Sequence, residues 1–382
     1  MYILYLLLAL FSEYWLGIIY HHPIGTDFYI YYNSYIKAIS GENPYLPYLV
    51  GESFVNHPFV LSFLSLFIWH QQKIVALVLW ITASALAWIV VIKFVFSLVQ
   101  SSLGRIELMD KRESFLLGLA IFIGFAPFWE TIHVGQINVF AILSILLMYY
   151  YSELDRPYVS GFFLSLAIVL KSSPIIFVLY FLSLRNYRLL FGSVLSLVLF
   201  SLIPSVQFST NIIPSFLTVL SNLGSEIHPS RNNESIVALA ARLLTKWGFE
   251  NFEGILKTGR NVLAILVVGA ILIPNLLKNP SKSLRLSQFA LLLLAMTLFS
   301  PLVWYHHSIF LIVPIVLLFL RSENYSSIIS IVLVLLIQFE RFFEDRIINF
   351  PLPVFLAHYL LLGVVLYMYF KDWFKYKADL LT

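Results

Sequence analysis

No cysteine occurs among the 382 residues, which excludes disulfides, thiolate metal sites and cysteine nucleophiles. Charge is scarce too: Asp, Glu, Lys and Arg make up 12% of the chain, where an ordinary soluble domain carries roughly 25%. With 60% hydrophobic residues and a mean hydropathy of +0.88, an ordinary soluble globular domain is excluded and an integral membrane protein is implied. The net charge of +4 is small. The basic residues fall in short loops rather than in one patch, so they read as topology determinants and not as a nucleic-acid footprint. Low-complexity linkers, internal repeats and an Asp-x-Asp pair are all missing. What is plentiful is aromatic surface, 17% of the chain, which suits spans with rings at both membrane interfaces.

Apolar stretches long enough to cross roughly 30 Å of hydrocarbon at ~20 residues each run over residues 2–20, 75–99, 159–182, 189–206, 256–277 and 353–370. Shorter ones lie at 58–69, 115–129, 139–151, 289–299, 308–320 and 327–339. The fold expected is therefore an all-α multi-span bundle of about 10–12 membrane segments, a single polytopic domain over 1–382. The stretch at 2–20 lacks a positively charged n-region and a small-residue cleavage site, so it reads as a retained helix rather than a secretory signal. The longest polar stretches are 21–57 and 207–253.

Arg185 and Arg188, then Lys278, Lys282 and Arg285, then Arg321, then Lys371, Lys375 and Lys377 recur at every second connection. That bias puts those connections in the cytoplasm and turns 21–57, 207–253 and the 300–307 turn outward. The segment 101–114 carries Arg105, Lys111 and Arg112, yet simple alternation places it outside unless 58–69 fails to cross.

Asp27 sits where the first span surfaces, followed by the aromatic run Phe28-Tyr29-Ile30-Tyr31-Tyr32 and then Gly41-Glu42-Asn43-Pro44-Tyr45. Further along come His57-Pro58, Gly135-Gln136-Ile137-Asn138, Lys171-Ser172-Ser173-Pro174, Asn233-Glu234-Ser235 and Ser300-Pro301, with Trp304 and His306-His307 beyond. Six short motifs in this order, spread over almost the whole chain, resemble glycosyltransferase family 87, the polyprenyl-phosphate-mannose-dependent mannosyltransferases of the GT-C superfamily. Glu234 stands where the family pattern has glutamine, and Ser172-Ser173 replace the usual residues before the proline. The resemblance implies a plasma-membrane enzyme working at the extracytoplasmic face, where the donor is a sugar, most often mannose, on a polyprenyl phosphate. The acceptor is a lipid-linked or extracytoplasmic glycan. Membrane lipids are the other partner; no cofactor, metal or nucleic acid is expected.

A glycosidase needs two carboxyl groups, one of them to protonate its leaving group. Here the leaving group is a phosphate, already a stable anion, so one base and some positive charge suffice. Asp27 fits that base, although an aspartate at a helix start is also commonly a cap. Glu13, inside an apolar run, is the weaker competitor. Lys171, after a dozen apolar residues and before a helix-breaking proline, is either a phosphate ligand or a helix-end lysine reaching headgroups. His306, His307, Arg231 and Arg242 are further phosphate ligands by the same resemblance, or else solvated and satisfied polar residues. Tyr31, Tyr45, Gln136, Asn138, Asn233 and Trp304 are assigned to the substrate pocket. Gln136 and Asn138 carry the alternative that they only bond across the bundle. A metal at His306-His307 with His21-His22 is disfavoured, because adjacent side chains point apart. The rival class, a polytopic lipid or glycolipid transporter or flippase, typically has paired repeats with interrupted helices in matching halves, and none is visible here.

Overall fold

The computed structural model describes residues 23–48, 53–68, 72–103, 118–119, 121–122, 124–208, 211–225, 227–229, 233, 235–277, 280–321 and 352–381. The apolar stretches at 2–20 and 327–339, the charged segment 104–114, and Glu13, His21, His22, Arg231 and Glu234 lie outside them. Among the described residues the protein is helical, with no strand. Among the described residues, three helices are long and apolar enough to cross a membrane. The chain divides into two compact units, one built from Trp15–Val91 and Phe128–Glu226, the other from Met1–Tyr14, Ile92–Pro127 and Ile227–Thr382.

The first of these units holds α1 (Thr26–Ile39), α2 (Phe59–Leu64) and the opening part of α3 (Lys73–Leu103), which continues into the other unit. After α4 (Ala126–Val134), whose first two residues belong to the other unit, it resumes with α5 (Asn138–Glu153), α6 (Pro157–Leu170), a 3₁₀ turn (Ser173–Ile175), α7 (Ile176–Ser183), α8 (Tyr187–Gln207) and α9 (Ile212–Ser225). Pro157 opens α6 at a position whose N–H has no helical acceptor anyway. Asn186 starts α8 by accepting the Leu189 N–H at 3.3 Å. Phe191, Val194, Val198 and Leu202 of α8 are more than half exposed; in a helix this apolar, that face suits lipid.

Between α6 and α8 the packing depends on small residues. A side chain on Gly161 would overlap the Leu189 carbonyl and the Ser193 N–H, and one on Gly192 would come within 3.1 Å of the Tyr158 Cα. The close approach lets the buried Ser165 hydroxyl donate to the Ser193 carbonyl at 2.5 Å. Small side chains with hydrogen-bonding groups are how helices associate where no water drives them together.

Two sequence expectations change. Residues 58–69 yield only the six-residue α2, about 9 Å at 1.5 Å per residue, far short of a bilayer core. The stretch 159–182 is not one crossing. It breaks into helices of 14 and 8 residues, because Lys171 is extended (φ −151°, ψ 128°) and Pro174 cannot donate back into α6.

In the other unit α10 (Ile236–Lys246), α11 (Glu253–Leu277), α12 (Lys282–Leu298), a 3₁₀ stretch (Tyr305–Leu311), α13 (Ile312–Arg321) and α14 (Leu352–Leu381) follow in order. α12 is its buried centre: every residue from Leu286 to Leu298 is below a tenth exposed. The Gln288 amide donates to the Ile271 carbonyl (2.9 Å) and to Asn275 (2.8 Å), and the Tyr369 hydroxyl donates to the same carbonyl (2.9 Å), so polar groups tie α11, α12 and α14 together.

Candidate active site

Asp27 lies in the first turn of α1, after Gly25, whose φ of 80° makes the entry turn and whose N–H donates to the His133 carbonyl at 2.7 Å. No side chain caps this helix, so the capping role open to Asp27 is not the one it plays. Its carboxylate is held from across the fold by the turn that links α4 to α5. Gly135 there has φ 75°, and a Cβ on it would meet Phe28 Cβ at 2.6 Å, so only glycine lets the turn close onto α1. The indole N–H of the fully buried Trp80 secures this turn by donating to the Gly135 carbonyl at 3.0 Å, and the Gln136 N–H donates to the Thr131 carbonyl at 2.9 Å.

Held this way, the Gln136 side chain donates from Nε2 to Asp27 Oδ2 at 2.5 Å and accepts from the Tyr31 hydroxyl on Oε1 at 2.6 Å. Asn56 Nδ2 in turn donates to the Tyr31 oxygen at 3.2 Å. Tyr45 joins through its hydroxyl, which donates to the Asn56 carbonyl at 2.9 Å while its ring packs on Phe54 and Phe216. On the other side of Ile137, Asn138 is fully buried and accepts from Lys171 Nζ at 3.0 Å. The break after α6 thus brings an ammonium beside the turn that holds the carboxylate.

Burial is the main reason the Asp27 pKa rises from 3.8 to about 6; the Gln136 hydrogen bond opposes it, the charge of Glu130 adds to it and that of Lys171 opposes it. His57 takes no charge in the ordinary range: burial lowers its pKa to about 4. Its Nδ1 accepts the Phe59 N–H at 3.2 Å, and its Nε2 lies 3.3 Å from the Ser201 hydroxyl, so it links the start of α2 to α8. Further along α1, a groove of about 620 Å³ is lined by Tyr35, Ile36, Ile39, Leu66, Ile68 and Gln207, among others.

A separate cluster occupies the other unit. The Asn233 amide donates to the His228 and Pro301 carbonyls (2.8 and 3.1 Å) and accepts the Ser235 and Val303 N–H groups (3.1 and 3.0 Å). Its polar atoms lace two backbone segments. Arg242 donates to the Asn233 carbonyl at 2.9 Å. Trp304 donates its backbone N–H to His307 Nδ1 at 3.2 Å, and the rings of His306 and His307 stand nearly perpendicular, both largely buried.

Of the residues singled out in the sequence, Asp27, Tyr31, Tyr45, Gln136, Asn138 and Lys171 share one compact unit, while Asn233, Arg242, Trp304, His306 and His307 belong to the other. Asn56 was missed, although it directly precedes the His57-Pro58 motif. Glu130 stood next to the turn motif but gave no sign in the sequence that its charge reaches Asp27. A partly desolvated carboxylate, with one oxygen held and a pKa near neutrality, can accept a proton, and a nearby ammonium can hold an anion.

No curated protein matches the chain significantly. The family model of glycosyltransferase family 87 matches residues 54–301, which takes in Asn56, His57, the 135–138 turn, Lys171 and Asn233 and leaves Asp27 and Tyr31 before it and Trp304, His306 and His307 after it. That match spans well over half of a helical chain with membrane-crossing helices: the protein belongs to glycosyltransferase family 87 and is a membrane glycosyltransferase.

Proposed function

We propose that the chain transfers mannose from a polyprenyl phosphate to a lipid-linked or extracytoplasmic glycan, with inversion, at the outer face of the plasma membrane. Asp27 takes the proton of the acceptor hydroxyl as that oxygen attacks the anomeric carbon. The sugar–phosphate bond breaks on the opposite side, and Lys171 stabilises the departing phosphate. The observation that carries this reading is the shared turn: Gln136 bonds the carboxylate and Asn138, two residues on, bonds the ammonium. Base and cation, on α1 and at the break after α6, are thereby both held by one turn. The groove beside Tyr35 and Ile39 supports a donor with an apolar tail and a polar head, since its walls mix Ile36, Ile39, Leu66 and Ile68 with Tyr35, Ser65 and Gln207 and it lies along the helix that carries Asp27.

Topology supports the outer face. With α2 only six residues long, α3 is the first long apolar helix after Asp27, which supports reading the basic segment 101–114 as cytoplasmic, in line with the other basic loops. The test is to incubate membranes holding this protein with a panel of radiolabelled polyprenyl-phosphate sugars. Label from the mannosyl donor should move to a lipid or glycan fraction. Transfer only from a different sugar would refute the mannose assignment, and transfer from no lipid donor would refute the donor class.

A further inference from the structure

We propose that Gln136 is the positioning residue of Asp27: with Tyr31 and Asn56 it forms a one-way chain of hydrogen bonds that occupies Oδ2 and leaves Oδ1 to meet the acceptor hydroxyl. The inference rests on Asp27 being the base. Its direction follows from donor chemistry. An amide nitrogen only donates, so Asn56 Nδ2 makes the Tyr31 oxygen an acceptor. The Tyr31 hydroxyl hydrogen is then free for the Gln136 carbonyl oxygen, at 2.6 Å. With that end of the amide engaged, its nitrogen faces Asp27 and can only donate. Oδ2 must therefore be a bare acceptor, and a proton there would point an O–H at an N–H. Turning the amide over would bring carbonyl oxygen against carboxylate oxygen, which only a protonated Asp27 tolerates.

Both ends of the Gln136 amide are thus taken up inside the protein, which distinguishes this role from direct contact with substrate. Two charged groups act on Asp27, Glu130 from α4 and Lys171 from the break after α6, while Tyr31 on its own helix reaches it only through Gln136. The 2.5 Å bond from Gln136 favours the ionised carboxylate; burial and Glu130 favour the neutral acid, and without Gln136 only Lys171 would oppose them.

The test uses the full chain in lipid nanodiscs. The carboxyl C=O infrared band of Asp27, identified by its absence in Asp27→Asn, is titrated with pH, and binding of polyprenyl-phosphate-mannose is measured alongside. Gln136→Leu should raise the titration midpoint by about one pH unit or more, as expected for losing a charge-assisted hydrogen bond, with donor affinity unchanged. Tyr31→Phe, which removes one oxygen and carries the test if the leucine variant does not fold, should raise it by less. A midpoint unmoved in these variants, with or without a loss of donor affinity, would overturn the proposal. Failure of the underlying reading looks different. An Asp27→Asn enzyme with full activity removes the base while the shift in Gln136→Leu persists, which would reduce the chain of bonds to a structural clamp.

Discussion

Replacing Asp27 by Asn separates chemistry from folding, because the two are expected to respond in opposite directions. The folded protein raises the carboxyl from 3.8 to about 6, so it binds a proton more tightly than the unfolded chain does. Stability from this group is present at low pH and is lost as pH rises from about 4 to about 6. Two pKa units are about 3 kcal/mol, an upper bound for a partly exposed side chain, carried as a penalty at neutral pH. Asn is never charged and can still accept from Gln136 Nε2, so the variant should unfold at the same temperature as the parent or higher. Its transfer rate should fall by about 10²–10⁴-fold, the usual contribution of a general base. In the parent, kcat/KM should fall about tenfold for each pH unit below 6. The assay is transfer of label from polyprenyl-phosphate-mannose in proteoliposomes, paired with thermal unfolding in the same lipid. A rate within about threefold of the parent, or a lowered unfolding temperature, would refute the reasoning.

Lys171→Met should raise the KM for the lipid-phosphate donor by about 10–100-fold, the worth of one charge-assisted hydrogen bond, and move the acid limb of the pH profile upward, because the lysine charge favours ionised Asp27. An unchanged KM would remove the lysine from the phosphate site. Gly135→Ala forces a Cβ at φ 75° to within 2.6 Å of Phe28. Strain and overpacking together should cost about 2–4 kcal/mol, read as a lower unfolding temperature along with lost transfer; a fully stable alanine variant would contradict the packing described. Asn233→Ala, which strips partners from four backbone groups, should cost about 3 kcal/mol or more, measured by thermal unfolding. A stable variant with poor donor binding would instead make Asn233 a substrate contact.

Much of this was legible from residue types alone. An aspartate beside an aromatic run and a lysine ahead of Ser-Ser-Pro announce a charged loop and a broken helix, because proline chemistry is local. Gly135-Gln136 was visible as a small residue joined to an amide, but its partner lies 109 positions away, and no local pattern encodes that register. Asn233 shows the opposite limit. An amide in an outward polar stretch looks free to bind sugar, whereas here the backbone of two loops consumes all of it. The 58–69 run misled for a third reason: hydrophobicity reports burial, and a six-residue helix whose Phe63 packs on Trp80 is buried without being long enough to cross. Likewise α9 and α10 lie hidden in a segment that reads as polar because each shows only one greasy side.

The glycine and serine contacts between α6 and α8 have a mechanical consequence for the lysine at the end of α6. Main chain rests on main chain there, so α6 cannot slide along its neighbour to suit a visitor. The height of the ammonium is therefore set during folding. Under the proposed function a lipid-borne phosphate has to rise or sink to that level, and donors whose phosphate rides at another depth would be passed over without any contact to reject them.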